Sequence, residues 1–179
     1  IRENRYGRTI VLVRNAGIFQ YDETSDYLEN IVPEINSRIT FRLNDFYHDK
    51  ESNYWFATQA DGLIRMSTDG KVIDGWTVNN GFPTNTLHRL ESVNDTDLWI
   101  SSIAGLCRFN RYTKGIQIFN YRHGLASNEF TPRTSLNTDN KQLVFGNTEG
   151  FVFVEPEYVI PDTSRSDVII SDIVFQNQS

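Results

Sequence analysis

Cysteine is almost absent: Cys107 is the one thiol in 179 residues. That excludes an internal disulfide and a cysteine-based zinc site. It lies mid-strand in the apolar run GLCRF and reads as a buried structural thiol, the usual fate of a free cysteine. No run of 18 apolar residues occurs, so no segment has the length of a membrane-spanning helix. Positive charge is in deficit, with 17 Lys and Arg against 23 Asp and Glu and a net charge of −6. That balance argues against a nucleic-acid partner. A sustained 3.6-residue period is missing too, and with it the mark of amphipathic helices. The one helix-like stretch, YLENIVPEI at 27–35, is interrupted by Pro33. No secretory leader is visible, and Ile1 in place of a starting Met reads as a processed or excised piece.

What is present is aromatic, at 13% of residues, while Ala is scarce, and both lean towards strands. The order of those strands repeats. Glycine followed by an apolar residue recurs at Gly17-Ile18, Gly62-Leu63, Gly105-Leu106 and Gly150-Phe151, with spacings of 45, 43 and 45 residues. An apolar run precedes each glycine and another follows it, as in YWFATQADGLIRMS and DLWISSIAGLCRFN. Trp55 and Trp99 hold one place in that run, and Val11 and Val144 hold it in the other copies. A second marker, VNNGFPTN at 78–85, returns as YRHGLASN at 121–128. Polar turns rich in Asp and Asn join the strands before each aromatic run, which is hairpin spelling.

Each unit therefore reads as four short strands. In the third copy they fall near 86–93, 97–102, 105–110 and 116–121. Four-stranded units at a period of 40–45 residues mean an all-β protein of β-propeller blades. About four units are present, at 1–38, 39–83, 84–126 and 127–161, as a partial propeller. The first lacks a clear innermost strand, since IRENRYG is short and charged, and the last has three strands. The Trp and Phe of each second strand are expected to fill the space between blades. Such a piece should expose strand edges and an unstacked blade face, which invites self-association through the blade edges.

The WD dipeptide of WD40 blades is missing, because Phe56 follows Trp55 and Ile100 follows Trp99. So are the double glycine of kelch blades and the spacing of the sialidase Asp-box, despite the similar letters of STDGKVIDGW at 67–76. The chain instead resembles the two-component regulator propeller repeat. DTDLWISSIAGLCRFN and SNYWFATQADGLIRMS follow its Leu-Trp-Ile-Gly-Thr, Gly-Leu, Phe order, with Thr58 matching the family Thr. Ser101 and Ala57 replace its Gly, and its turn glycine is absent from all three complete turns, which carry SN, TD and NK. The end of the chain, GLASNEF at 124–130 and LVFGNTEGFVFVEPEYV at 143–159, resembles the last blade of that family. Residues 162–179, with RSDVIISDIVFQNQS, look like a linker and the first strand of a truncated Ig-like domain. The resemblance implies the periplasmic sensor part of a bacterial membrane-bound signalling protein, with a histidine kinase, hybrid regulator or diguanylate cyclase as output. Its membrane link would lie in segments outside this chain.

Catalytic and metal-binding patterns are poor, and no cofactor is expected. His48, His88 and His123 form no ligand spacing, and no Gly-x-Ser-x-Gly elbow occurs. Asp45 with Asp49, and Asp95 with Asp97, belong to turn contexts rather than to a cation site. A ligand site is expected where loops lead into the innermost strands, at RLNDFY, TNTLHR and SNEFTPR. Their candidate residues are Asn44, Tyr47, Asn85, His88, Arg89, Asn128 and Arg133, which suit a small molecule or oligosaccharide, above all a sugar or acidic sugar. Asn85 and Asn128 recur at one place in consecutive units, which also fits a turn cap. The alternatives are a propeller polysaccharide lyase or glycosidase, for which Asp45 and Glu129 are the available carboxylates, and a structural dimerisation spacer.

Overall fold

A computed structural model describes residues 1–4, 6–13, 16–31 and 42–159. Among the described residues fifteen strands form four antiparallel sheets, each a meander in chain order. Blade 1 holds β1 (Arg2–Glu3), β2 (Thr9–Val13), β3 (Gly17–Asp22) and β4 (Tyr27–Asn30). Blade 2 holds β5 (Leu43–His48), β6 (Tyr54–Thr58), β7 (Leu63–Met66) and β8 (Val72–Trp76). Blade 3 holds β9 (Leu87–Glu91), β10 (Asp97–Ser102), β11 (Gly105–Asn110) and β12 (Ile116–Phe119). Blade 4 holds β13 (Phe130–Asn137), β14 (Leu143–Asn147) and β15 (Gly150–Val154). The all-β architecture of four consecutive blades is the expected one.

Two readings are corrected. The first blade does have an innermost strand, two residues long, because Arg2 and Glu3 pair with Ile10 and Thr9. The helix-like stretch at 27–35 begins as strand β4, whose residues pair with Phe19–Asp22 of β3, so the cross-strand ladder overrides the local pattern. The Pro33 half of that stretch, and the residues read as the Ig-like strand, lie outside the described residues.

The hairpins explain how the turns do without glycine. In the β5–β6 turn Ser52 N–H donates to Asp49 O and Asp49 N–H donates to Asn53 O. Lys141 and Thr138 repeat this geometry in blade 4, and Gly7 with Asn4 in blade 1. It is a type I turn closed by one left-handed residue. That residue is Ser52 at φ 63° and Lys141 at φ 60°.

The second strands have no solvent face. Every residue of β6 and β10 is buried. Trp55 and Ala57 pack into the core shared with blade 3, beside Leu98, Ile100 and Phe109. Tyr54 and Phe56, on the opposite face of the same strand, pack against Ile10 and Ile18 of blade 1. Trp99 then faces Leu143 and Phe145 of blade 4. One strand thus serves two cores, because successive side chains point to opposite faces. A fully buried large apolar side chain contributes roughly 1.5–3 kcal/mol, so the seams hold the blades together. Trp55 stacks on Trp76 at 5.4 Å, and Trp99 stacks on Phe119 at 5.6 Å, one blade later. Cys107 is fully buried between blades 2 and 3, and burial pushes its thiol pKa up to about 12. An inert structural thiol follows.

A polar clamp reinforces the seam between blades 2 and 3. The buried Arg111 guanidinium donates to Asp49 Oδ2 at 2.9 Å and to Glu51 Oε2 at 3.3 Å. Trp55 Nε1 donates to the same Asp49 oxygen at 2.7 Å. Burial pushes the Asp49 carboxyl up, but the hydrogen bonds from Trp55 and Asn53, with the Arg111 charge, outweigh it and hold the group below the usual carboxylate range. Asp97 is likewise bound by Arg108, at 2.7 Å. The aspartates considered for a cation are thus engaged with arginines, and no His, Cys, Asp and Glu cluster fit for a metal occurs among the described residues.

Candidate functional site

The innermost strands β1, β5, β9 and β13 surround the axis and carry one charged network. Arg2 donates to Asp45 Oδ2 at 2.9 Å and to Glu91 Oε1 at 2.8 Å. Arg89 pairs with Asp45 Oδ1 at 3.2 Å and donates through Nε to Ser135 Oγ at 2.8 Å. Ser135 passes a hydrogen bond to Glu91 Oε1 at 2.5 Å, and Leu90 N–H donates to Asp45 Oδ2 at 2.8 Å. Four strands from four blades meet in this network. Burial pushes the Asp45 carboxyl up, against the pull of Arg2 and Arg89. Burial also draws the Arg89 guanidinium down, against the pull of Asp45. Buried charges survive only when paired and hydrogen-bonded, and here every Asp45 oxygen has a partner.

At the end of the axis where loops lead into the inner strands, a cavity of about 540 Å³ spans blades 2, 3 and 4. Arg42, Asn44, Gln59, Thr86, His88 and Arg133 line it. Gln59 ties its wall together: its N–H donates to Arg42 O at 2.9 Å, and its carbonyl accepts from Thr86 Oγ1 at 2.7 Å. Asn44 Nδ2 donates to Leu87 O at 2.7 Å. The buried His88 donates through Nδ1 to Phe130 O at 2.8 Å, since a carbonyl can only accept. Burial lowers the His88 pKa and keeps the ring neutral at pH 7, with Nε2 as a lone-pair acceptor.

Of the seven residues expected to bind a ligand, Asn44, His88 and Arg133 meet in this cavity. Arg89 belongs to the axial network instead. Tyr47 points to the hairpin end of its blade, where its hydroxyl donates to Asp95, and burial followed by that acidic partner raises its pKa. Asn85 and Asn128 are caps. Their Oδ1 atoms accept from Val78 N–H at 2.9 Å and Tyr121 N–H at 2.7 Å, closing the 3-10 turns Val78–Asn80 and Tyr121–His123. That is the physical content of the repeated VNNGFPTN and YRHGLASN marker, and it gives both oxygens a structural partner. The His123 ring meets the Asn120 side chain of the same turn, and His48 stacks on Tyr54 at 4.7 Å. Sequence reasoning passed over Arg2, Glu91 and Ser135 of the network, and Arg42, Gln59 and Thr86 of the cavity. Arg42 opens the quoted RLNDFY, but nothing in its neighbours sets it apart.

Inner strands around a filled axis, with a polar cavity at the loop end, define four consecutive blades of a β-propeller. No family model matches the chain. Its fold matches solved extracellular domains of hybrid two-component systems from B. thetaiotaomicron. One superposes with a TM-score of 0.68 at 15% identity, over 88% of this chain and 23% of that one. A second gives 0.62 at 16% identity, over 90% of this chain and 23% of that one. In sequence the chain is 34% identical over 101 residues to a histidine kinase of Formosa agariphila, covering 56% of this chain and 7% of that protein. The chain thus spans under a quarter of the length of each of these three. The resemblance to two-component regulator propellers, read first from the repeats, meets extracellular domains of hybrid two-component systems in fold and a histidine kinase in sequence.

Proposed function

We propose that the chain is a non-catalytic, ligand-sensing part of the extracytoplasmic domain of a bacterial signalling protein. The protein is a membrane-bound sensor histidine kinase or hybrid regulator, and this part works in the periplasm. The observation that carries the reading is the match of 88% of the chain to an extracellular domain of a hybrid two-component system. The identity to a histidine kinase supports it from sequence. The signal is a small molecule or glycan held at the loop end of the axis. No helix among the described residues is long and apolar enough to cross a membrane.

The glycosidase reading is weakened by the axis itself. That chemistry needs two available carboxylates facing one bond, and both Asp45 oxygens are held by Arg2, Arg89 and Leu90 N–H. Thermal shift of the intact ectodomain and of this chain, against a panel of oligosaccharides, tests the proposal. At a hundredfold excess over Kd a ligand contributes about 2.7 kcal/mol, a Tm rise of roughly 5–10 °C. Turnover of any glycan in the panel, without a stabilising ligand, would overturn the sensor reading in favour of an enzyme.

A further inference from the structure

We infer that the cavity at the loop end of blades 2, 3 and 4 takes a small carboxylate that carries hydroxyl groups. Arg42 and Arg133 meet its charge, and His88 and Asn44 meet its hydroxyls. The inference rests on the sensor reading and names the ligand class of the same site.

The charge argument comes first. The chain carries a net charge of −6, yet no carboxylate lines this cavity, and its formal charges are the two guanidiniums. Other cavities of the molecule differ. The one between blades 3 and 4 sets Glu155 and Glu157 against Arg108 and Lys141. The one at the opposite end of the axis sets Glu3, Glu91 and Asp95 around Arg2. Arg133 has no acidic partner among the described residues, unlike Arg2, Arg89, Arg108 and Arg111. A guanidinium offers a fixed fork of donors that matches a carboxylate.

The backbone argument is independent. Two inner strands are bulged where they meet the cavity, β5 between Leu43 and Asp45 and β13 between Phe130 and Ser135. Those bulges deliver Asn44 and Arg133. Arg133 sits at φ 63°, a left-handed conformation uncommon outside glycine. Bulges and strained residues gather at binding sites, where they re-aim a side chain.

The acceptor argument separates a hydroxy acid from a bare anion. His88 spends its one N–H on Phe130 O, which leaves Nε2 as an acceptor. Asn44 spends Nδ2 on Leu87 O, which leaves Oδ1 as an acceptor. Two fixed acceptors beside two cations call for O–H donors next to the negative charge. A cavity of about 540 Å³ has room for a sugar-sized ligand of that kind.

Titration calorimetry of the 179-residue chain at low salt, with D-glucuronate, D-glucose and sulfate as probes, decides the matter. Glucuronate is expected to bind about tenfold or more tightly than glucose or sulfate, and Arg133→Gln or Arg42→Gln to weaken it about tenfold. Both side chains are exposed, so unchanged circular dichroism will verify that the variants fold. Equal binding of glucose overturns the anionic assignment and leaves the sensor reading standing. Equal binding of sulfate overturns the hydroxyl part. Glucuronate binding that survives Arg133→Gln, or is absent, overturns the site. The sensor reading itself fails only if the intact ectodomain responds to no compound in the thermal-shift panel.

Discussion

Trp55 and Trp99 hold one place in successive blades and stack alike on the outermost strand, yet their indole N–H groups fare differently. Trp55 Nε1 donates to Asp49 Oδ2, while Trp99 Nε1 is buried without a partner among the described residues. The residue six places before Trp55 is Asp49, and six before Trp99 it is Val93. Trp55→Phe should therefore destabilise by about 1 kcal/mol more than Trp99→Phe, since only the first removes a made hydrogen bond. Urea titration of the two variants checks the difference, and equal costs would mean the bond adds nothing. His88 gives a pH dependence. Its folded pKa lies below the unfolded value of about 6.5. Above pH 6.5 both states hold a neutral ring and stability is unaffected. As pH falls below 6.5 the unfolded state binds a proton that the native state resists, so stability declines. His88→Gln should flatten the loss between pH 7 and 5, measured as the urea midpoint against pH. A decline as steep as that of the parent would place its source elsewhere.

A glycine opens the third strand of blades 1, 3 and 4, and Gly62 directly precedes that of blade 2; the reason can be read from three of the four. A Cβ at Gly62 would lie 2.0 Å from Trp76 O, and one at Gly105 would lie 2.4 Å from Phe119 O. The outermost strand runs its backbone against that spot. At Gly150, where blade 4 has no fourth strand among the described residues, none of their atoms lies within 4 Å. Gly105 and Gly150 share positive φ, at 124° and 138°. An alanine is thus strained at both and clashes only at the first. Gly105→Ala should cost about 1–3 kcal/mol more than Gly150→Ala, by thermal unfolding of the two variants. Equal costs would show that φ alone keeps the glycine. Strand periods were legible because pattern and pairing agree: the strands read near 97–102 and 105–110 are Asp97–Ser102 and Gly105–Asn110. Strand β4 was not, because four exposed or half-buried residues hold their shape through the ladder to β3 rather than through their own pattern.

At the scale of the whole molecule the blade count was legible and the axis was not. Repeats announce themselves at a fixed period, whereas Arg2 meets Glu91 across 89 residues and Arg89 meets Ser135 across 46. No local pattern records such pairs, and the same holds for the cavity built from three blades. The open side of blade 4 is the other whole-molecule feature. Among the described residues strand β15 has no neighbour on its outer edge, and Phe151 and Phe153 are 68% and 65% exposed. In blades 2 and 3 an aromatic residue faces the position after the glycine: Trp76 opposite Leu63 and Phe119 opposite Leu106. Antiparallel pairing of two copies of β15 about Val152 would set Phe153 of one copy opposite Phe151 of the other, which meets the same requirement. An exposed apolar edge is a template for such pairing. The isolated chain should therefore form a concentration-dependent dimer by light scattering. Phe153→Lys, which places a charge on the edge without touching the core, should return it to a monomer. A parent chain that stays monomeric at high concentration would show that the edge is sealed by some other means.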